Sequence, residues 1–409
     1  MPLFWVFILC VLPRLAYLCF DKAAPMLEAS VYWDISENIL RSGVLDFWDN
    51  STTRVEPLYP IFLALCRFLA FNNLFIVLSL QIALCSAACI VFYKLCELLS
   101  NRRTAAIAVF LFSFYPYLVR QQVSLIEVSL VTSLLIAGAY FYCRPLGLRS
   151  SFYCGAAFGF ALLTRAALLP VWLLGLSTVF LKKNFKSGMV MVFVSALIVF
   201  PFFLRNYLSD GSFLTSRMGY DLYKGNNAYS DSLIPTYSLD VLTPQLFEEL
   251  EKESPDLLNA DENKIDRYFF GKAVQFMYQN KMKTMKLKLK NVFYFFHPRI
   301  VPFHPFEPNS KLVITEKGEA HVEGSAVRDP LAERVHSIFY GFILFAAGTG
   351  IFLRRKEFQK DAILYFILIG FTLVHCVYWP ATRYRVSMDF VLIFFAAYAV
   401  DRILRKMTR

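Results

Sequence analysis

The sequence predicts an all-α protein that crosses a membrane several times. Of its 409 residues 57% are hydrophobic and 42 are Phe, and the mean hydropathy is +0.48. Apolar runs of about 20 residues recur along the chain, which is the length that a helix needs to cross roughly 30 Å of hydrocarbon. A soluble domain cannot bury so much apolar surface. We therefore predict a polytopic bundle of helices.

The apolar runs account for roughly ten predicted spans. Eight lie near residues 3–20, 74–98, 105–119, 128–145, 188–204, 336–353, 361–379 and 386–403. The run 153–181 is long enough for two more, but Arg165 and Pro170 interrupt it. A charged residue and a proline both disfavour a continuous buried helix, so two short spans are expected to meet near Arg165.

Basic residues predict the orientation of the spans. The formal net charge is +11, and cytoplasmic loops carry an excess of Lys and Arg. With the N-terminus in the cytoplasm, the basic clusters between the spans all fall on the cytoplasmic side: Arg102/Arg103, Arg144/Arg149, Lys182/Lys183/Lys186, Arg354/Arg355/Lys356 and Arg402/Arg405/Lys406. Short clusters of this kind do not indicate nucleic-acid binding.

This orientation divides the chain into three parts. Residues 1–204 form an N-terminal transmembrane module whose first external loop is 21–73, residues 205–335 form a large external loop, and residues 336–409 hold the last three spans. Helices at the membrane surface are predicted for 27–43 and 61–71 in the first loop. The lysine-rich segment 281–290 of the large loop is predicted to be another surface helix.

Acidic residues crowd the start of the first external loop. Glu28, Asp34 and Glu37 lie beside the membrane surface, and in a helix Glu28, Tyr32 and Ile35 would share one face. This helix is either an amphipathic surface helix with a solvated acidic side or part of a functional site.

Further ionisable residues fall at the external ends of the spans, where charges are costly unless they are paired or face an aqueous cavity. They are Glu56, Glu127, Arg165, Arg205, Arg383 and Arg385. Structural alternatives are a helix-stabilising pair of Arg165 with Glu127, a helix end at Arg205, and interfacial anchoring by Arg383 and Arg385. The functional interpretation is that acids and guanidinium groups converge on one cavity, where Arg suits a phosphate.

The order of these motifs resembles the GT-C membrane glycosyltransferases, in particular the bacterial protein O-mannosyltransferase and lipid A aminoarabinose transferase group (glycosyltransferase family 39-like). The resemblance extends from Glu28 to Arg402 and rests on motifs that are individually weak: Glu28-x-x-x-Tyr32, Glu56-Pro57-Leu58-Tyr59-Pro60, Tyr115-Pro116, Glu127, Leu163-Thr164-Arg165, Pro201-x-x-x-Arg205-Asn206-Tyr207, Gly225-Asn226 and Arg383-Tyr384-Arg385.

The resemblance implies a polyprenyl-phosphate sugar donor, an acceptor that is a lipid, a glycan or a protein, and a catalytic acid in the first external loop. The matching position holds Glu28 where these enzymes usually have Asp, which leaves Glu28 or Asp34 as the catalytic carboxylate. Expected substrate-binding residues are Tyr32, Glu56, Tyr59, Glu127, Arg165, Arg205, Asn227, Arg383 and Arg385. Arg383 and Arg385 match the position that holds the donor phosphate.

The residue types suit this chemistry. A glycosyl phosphodiester already carries a good leaving group, so arginines that stabilise the departing phosphate and a carboxylate that removes the acceptor proton are sufficient. Such a displacement inverts the anomeric carbon. No metal site is assigned, although Glu28, Asp34 and Glu127 together offer the oxygen ligands that a divalent ion would need. We expect an integral protein of a bacterial cytoplasmic membrane with its active site on the external face.

Two other functions remain open at this point. A transporter or flippase of lipid-linked sugars would need charges near the middle of the bilayer and two matching halves, whereas these charges cluster at one face. A polysaccharide polymerase or ligase also uses polyprenyl-linked glycans, and the early acidic loop argues against it.

Overall fold

The computed structural model describes residues 1–20, 30–43, 55–145, 147–210, 217–258, 260–305, 310–314, 320–324 and 328–408. These residues are mostly helical, with one two-stranded sheet. The helices are α1 Leu3–Phe20, α2 Ser30–Ser42, α3 Leu58–Leu69, α4 Leu74–Leu99, α5 Arg102–Phe114, α6 Pro116–Val123, α7 Val128–Cys143, α8 Leu148–Thr164, α9 Leu169–Leu181, α10 Phe185–Asp210, α11 Met218–Lys224, α12 Ser230–Leu233, α13 Thr243–Glu253, α14 Glu262–Gln279, α15 Lys281–Phe295, α16 Pro330–Arg354, α17 Ala362–Val377, α18 Thr382–Arg385 and α19 Asp389–Met407.

Every apolar run predicted from the sequence contains a helix, so the all-α polytopic prediction is confirmed. Within the described ranges, four helices are long and apolar enough to cross a membrane individually: Leu3–Phe20, Leu74–Leu99, Phe185–Leu208 and Pro330–Glu357. Pro116–Val123 and Val128–Cys143 form one further candidate span, bent by 111°. Three shorter apolar helices are Leu58–Leu69, Ala166–Leu181 and Ala362–Val377. The remaining predicted spans are short or carry charges at their ends.

The predicted interruption near Arg165 is present. Helix α8 ends at Thr164, a short 3-10 helix covers Ala166–Leu168, and α9 begins at Leu169 with a proline in its first turn. Proline suits this position because it has no N–H to leave unpaired there. Arg165 itself has extended backbone angles and lies between the two helices.

Helix α19 lies in the centre of the bundle. Nearly all of its residues from Asp389 to Ala399 are buried, and it packs against α5 and α16. At the α16 contact, Gly350 lies directly against the backbone carbonyl of Phe395, where a side chain would overlap it. The glycine thus allows the two helices to approach closely.

One end of the bundle collects charged groups from loops that are far apart in the sequence. Arg354 forms a buried ion pair with Asp361 (2.6 Å) and donates to the Leu99 carbonyl (3.1 Å). Asp401 of α19 lies 3.5 Å from Arg103 and 3.0 Å from Arg405. Three of the five predicted basic clusters therefore meet at this end, which we call the basic end.

The region that follows α10 forms its own small core on the opposite end of the bundle. Leu246, Leu250, Phe269, Ala273 and Leu287, from α13, α14 and α15, pack together there. Strands β1 (Lys311–Ile314) and β2 (Ala320–Glu323) pair antiparallel, with Lys311 opposite Glu323. We call residues 218–324 the outer subdomain. It includes the predicted surface helix 281–290, which is longer in the structure and ends at Phe295.

The outer subdomain is joined to the bundle at the end of α17. Asn226 Nδ2 and Lys288 Nζ donate to the Val377 carbonyl (3.0 and 2.7 Å), and Asn291 Nδ2 donates to the Cys376 carbonyl (3.0 Å). The last carbonyls of a helix have no partners within the helix. These three side chains satisfy them and thereby fix the loop that follows α17.

Candidate active site

The candidate site lies at three interruptions of the helices, at the end of the bundle opposite the basic end. Glu127 is at the 111° bend between α6 and α7, Arg165 separates α8 from α9, and Glu56 lies just before α3. Helix ends leave backbone groups unpaired and polar side chains readily gather there. The interruptions therefore bring ionisable side chains together at the edge of an apolar bundle.

Glu127 connects the first loop to Arg165. Tyr32 Oη of α2 donates to Glu127 Oε2 (3.2 Å), and Arg165 Nη1 lies 3.8 Å from Glu127 Oε1. The Tyr32 ring also meets the Tyr59 ring edge to face at 5.0 Å, and Tyr59 Oη donates to Gln81 Oε1 (3.0 Å). The structure thus brings together four of the residues that the sequence singled out.

Glu56 joins the same group through the backbone. Its Oε1 accepts a hydrogen bond from the Ala166 N–H (3.3 Å), a donor at the start of the helical segment that follows Arg165. Desolvation raises the pKa of the Glu56 carboxyl and the nearby Glu127 adds to the rise, although backbone hydrogen bonds and Arg165 oppose it. Glu56 consequently takes up a proton more readily than an exposed glutamate does.

Tyr32 keeps its proton in this environment. Desolvation raises its pKa well above the usual value, and the charges of Glu127 and Glu56 raise it further. The phenol is therefore a permanent hydrogen-bond donor to Glu127, and it holds that carboxylate in place.

Arg165 offers a guanidinium group that is only partly engaged. The residue is 8% exposed, and among the described residues its buried Nη1 has no hydrogen-bond partner. Its guanidinium carbon lies 4.5 Å from the centre of the Tyr384 ring. Tyr384 stacks on His375 at 4.7 Å. Stacking on an aromatic ring holds a guanidinium group without using its N–H groups, which leaves them for a bidentate anion.

Arg383 approaches the same tyrosine. Its guanidinium carbon lies 4.9 Å from the Tyr384 ring centre, and Nη2 donates to Tyr384 Oη (2.9 Å). Two arginines from different parts of the chain therefore share one aromatic ring. Positive charge concentrates beside the carboxylates of Glu56 and Glu127.

Arg383 also interacts with acids of the outer subdomain. Burial raises the pKa of Asp240, but Lys224, at 2.8 Å, and Arg383 outweigh it and hold this pKa well below its usual value. Desolvation raises the pKa of Asp221, and the charges of Arg217, Lys224 and Arg383 oppose the rise. The charge of Arg383 thus acts on these two acids of the outer subdomain as well as at the site.

The sequence predicts that Arg385 binds the donor phosphate, but in the structure its guanidinium group is surrounded by protein groups. It is fully buried, 3.3 Å from Asp389, and it donates to the carbonyls of Phe295 (3.0 Å) and His297 (3.2 Å). Its guanidinium carbon lies 3.5 Å from the Tyr340 ring centre. These contacts occupy the guanidinium group and fix the loop after α15. Of the predicted pair, only Arg383 lies with Arg165.

Asn227 has a role in shaping a loop. Its Oδ1 accepts from the N–H groups of Tyr229 (2.8 Å) and Ser230 (3.1 Å), and its Nδ2 donates to the Tyr223 carbonyl (2.8 Å). The side chain is buried. The amide is used within the turn after α11, and these contacts do not connect it to Glu127 or Arg165.

Arg205 lies near the end of α10 and donates from Nη1 to Asn206 Oδ1 (3.2 Å). This contact is local to α10. Asp34 lies on α2 and is half-buried, two residues after Tyr32. Glu28, the other candidate for the catalytic acid, lies outside the described residues. Among the residues that are described, no group of three or more His, Cys, Asp or Glu side chains is arranged to hold a metal ion.

Tyr384 and His375 are not among the site residues predicted from the sequence. Tyr384 lies between two arginines in the sequence, and its ring is the surface that both Arg165 and Arg383 approach. An aromatic residue between two arginines is a signal for guanidinium stacking. His375 gave no such signal, because a single histidine in an apolar run is usually a packing residue.

A buried polar network beneath the site was also missed. Arg14 Nε donates to Gln122 Oε1 (2.9 Å), and Gln81 Nε2 donates to the carbonyls of Gln122 and Ser124 (both 2.9 Å). These bonds hold the bend that carries Glu127. The charge of Arg14 inside the first apolar run was the available signal, since a charged side chain within a span must find partners.

Comparisons with known proteins identify the fold. No protein-family model matches the chain, and a search of curated proteins finds no sequence match. Solved structures do match. The oligosaccharyltransferase of Archaeoglobus fulgidus, tethered to an acceptor peptide, superposes with a TM-score of 0.54 at 14% identity, over 99% of this chain and 50% of that one. The chain has a GT-C fold.

Two further structures of the A. fulgidus enzyme give the same result. The complex of AglB with an inhibitory peptide and a dolichol-phosphate matches with a TM-score of 0.53 at 15% identity, over 99% of this chain and 50% of that one. The complex with Zn and sulfate gives 0.53 at 15%, over 98% and 49%. The chain spans about half the length of the solved structures that it matches. Sequence identity this low establishes the fold alone.

Proposed function

We propose that this protein is a membrane glycosyltransferase that moves a sugar from a polyprenyl-phosphate carrier to an acceptor on the external face of a bacterial cytoplasmic membrane. The observation that carries the proposal is Arg165, a buried guanidinium group against Tyr384 whose Nη1 lies 3.8 Å from Glu127 Oε1 and makes no hydrogen bond within the described residues. An ion pair that only stabilised two helices would close to hydrogen-bond distance, because a buried donor without a hydrogen bond is costly unless a ligand satisfies it.

In this proposal the two arginines bind the donor. Arg165 and Arg383 stack on Tyr384 and direct N–H groups at the phosphate, whose negative charge grows as the bond to the sugar breaks. Their guanidinium groups remain charged throughout, so they stabilise the leaving group without a proton transfer. Glu127, fixed by Tyr32, balances the charge of Arg165 before the donor arrives.

A carboxylate of the first loop, Glu28 or Asp34, accepts the proton of the acceptor hydroxyl. The acceptor oxygen then bonds to the anomeric carbon while the carbon–oxygen bond to phosphate breaks, and that electron pair leaves with the polyprenyl phosphate. One displacement of this kind inverts the anomeric centre. A partly desolvated site raises the basicity of the carboxylate, as the neighbouring Glu56 already illustrates.

The finer assignment rests on the motif order and on the neighbours in structure. The motifs resemble the O-mannosyltransferase and aminoarabinose transferase group, whereas the matched structures are oligosaccharyltransferases, one of them bound to a peptide and a dolichol-phosphate. Both point to a lipid-phosphate donor. We propose a single sugar as the transferred group and leave the acceptor as a lipid, a glycan or a protein, which the outer subdomain would select.

The test is transfer of labelled sugar from polyprenyl-phosphate donors by purified protein in liposomes. Wild type, Glu28→Gln and Asp34→Asn are compared with Glu357→Gln, which alters an exposed acid at the basic end. The proposal expects one first-loop variant to lose transfer at least about 100-fold, a typical effect of removing a general base, while Glu357→Gln keeps wild-type activity. If both first-loop variants keep wild-type transfer, the catalytic assignment is wrong.

No resident metal ion is part of the proposal. If transfer by the wild-type protein survives extensive treatment with EDTA, the general-base scheme is sufficient. If EDTA abolishes transfer and Mg²⁺ or Mn²⁺ restores it, the first-loop carboxylates act as ligands of the ion instead.

A further inference from the structure

Helix α15 carries an apolar stripe that no other part of the described structure covers. Its members are between 38% and 66% exposed and recur at helical spacing along one face: Met282, Met285, Leu289, Val292 and Phe293. The opposite face packs into the outer subdomain through Leu287 and against the end of α17 through Asn291 and Phe295. A helix needs only one buried face to stay attached, so the second apolar face indicates another surface.

Lysines border the stripe. Residues 281–290 contain five lysines and no acidic residue. At 100° per residue, Lys281 lies on one side of the stripe, and Lys283 and Lys286 lie on the other. These three are exposed and form no ion pair within the described part of the chain, and Lys283 Nζ makes one long hydrogen bond to the Ala228 carbonyl (3.4 Å). Lys290, by contrast, pairs with Asp231 at 2.8 Å.

The contacts of α15 with the bundle place its apolar stripe near the edge of the hydrocarbon layer. Asn291 donates to the Cys376 carbonyl (3.0 Å), and the Phe295 ring stacks with His375 at 5.6 Å. Both partners are in the last turn of α17, one of the short apolar helices of the bundle. The stripe therefore begins in the outer subdomain and runs toward the level at which α17 leaves the membrane.

We infer that α15 is an anchor for the membrane surface, with its apolar stripe in the outer leaflet and Lys281, Lys283 and Lys286 bound to anionic phospholipid headgroups. An apolar stripe between rows of lysines is the pattern that binds anionic bilayer surfaces. A protein partner with an acidic groove would also attract the lysines. However, the continuity of the stripe with the end of α17 favours the bilayer.

The inference is tested without any measurement of sugar transfer, so it stands or fails separately from the proposed function. Full-length protein is reconstituted into nanodiscs of phosphatidylcholine alone or of phosphatidylcholine with phosphatidylglycerol. Acetylation of each lysine by a water-soluble reagent is then quantified by mass spectrometry. Lys252 and Lys264, exposed in α13 and α14, are internal controls in the same outer subdomain.

We expect anionic discs to slow acetylation of Lys281, Lys283 and Lys286 about fivefold, which corresponds to about 1 kcal/mol per lysine near an anionic surface. Lys252 and Lys264 should react equally in both disc types. High salt should remove the protection, because it screens exposed charges. Equal acetylation of the three lysines in both disc types would overturn the inference, and so would protection that high salt does not weaken.

A variant of the stripe tests its apolar half. Leu289 is 66% exposed, so Leu289→Asp leaves the core intact, and Leu258→Asp is a matched control at an exposed leucine outside α15. We expect Leu289→Asp to lose the protection of the three lysines in anionic discs and Leu258→Asp to keep it. Protection that persists in Leu289→Asp would show that the stripe does not enter the leaflet.

Discussion

Glu56 ties the first loop to the interruption after Arg165 through one hydrogen bond to the Ala166 N–H. Glu56→Gln preserves an acceptor oxygen for this bond and removes a carboxylate whose pKa desolvation has raised. A raised pKa means that the folded state binds the proton more tightly than the unfolded state does. Ionisation of Glu56 therefore lowers the free energy of unfolding as the pH rises above the pKa that Glu56 has in the unfolded state. Glu56→Gln should therefore unfold at a higher temperature than wild type at neutral pH.

The difference should shrink as the pH falls toward the ordinary carboxyl pKa, where wild-type Glu56 is also neutral. Glu56→Ala is the control, since it removes the acceptor and should cost about 1 kcal/mol relative to Gln. Thermal unfolding in detergent at several pH values measures both. A gain for Glu56→Gln that grows at low pH would contradict the account.

Arg165 provides a second prediction at the scale of one residue. Arg165→Lys keeps the charge but loses the planar fork and the stacking on Tyr384, so kcat/KM for the donor should fall about tenfold or more. Arg402→Lys is the matched control, because Arg402 donates to the Tyr398 hydroxyl on α19, far from the site. Steady-state kinetics with varied donor measures the effect. Wild-type kcat/KM in Arg165→Lys would remove Arg165 from the donor site.

At the scale of elements, the contact between α11 and the end of α17 fixes the loop that carries Arg383. Gly225 follows α11, and a Cβ on it would overlap the Tyr378 carbonyl oxygen. Gly225→Ala should therefore push the outer subdomain away from α17. We expect lower thermal stability together with reduced transfer.

Gly271 in α14 serves as the control for this substitution, because a Cβ there meets no atom within 4 Å. Gly271→Ala should be neutral or should stabilise by up to about 1 kcal/mol, since alanine is the better helix former. Thermal unfolding of both variants separates close packing from a general effect of added methyl groups. Equal unfolding temperatures for Gly225→Ala and wild type would mean that the junction adjusts without cost.

Elements were predicted well where one local signal decides them. Long apolar runs identified the helices of the bundle, and the charge and proline near Arg165 identified the interruption between α8 and α9. The outer subdomain was not predicted beyond a polar loop with one surface helix, because α11 to α13 are short and the core that they share with α14 forms only when Phe269 and Leu246 meet. The contacts of Asn226 and Lys288 with Val377 join residues far apart in sequence, and no local pattern reveals them.

The candidate site was predictable only where a local sequence signal exists. Charged residues beside apolar runs identified Glu127, Arg165 and Arg383, because a charge in that position needs an explanation. The environment of each charge depends on its neighbours in space. Arg385 resembles Arg383 in sequence, but it lies four residues before Asp389, about one helical turn, and forms a buried ion pair with it, whereas Arg383 lies six residues before it.

For the whole molecule, the basic end and the candidate site lie at opposite ends of the bundle, and the proposal assigns them to opposite sides of the membrane. Single cysteines replacing Lys252 or Lys183, in a protein whose exposed Cys19 is serine, test this assignment. A maleimide that cannot cross membranes should label residue 252 in spheroplasts, and should label residue 183 only after the membrane is opened. The reverse pattern would invert the orientation and place the site on the cytoplasmic side.

The most direct measurement of the central claim is photo-crosslinking of a polyprenyl phosphate that carries a diazirine near its phosphate, followed by mapping of the labelled peptides. The account predicts labels in the peptides that contain Tyr32, Glu127 or Tyr384, and loss of these labels when unlabelled polyprenyl-phosphate sugar is added. Labels at the basic end near Asp361 and Asp401, or labelling that the unlabelled donor does not reduce, would contradict it.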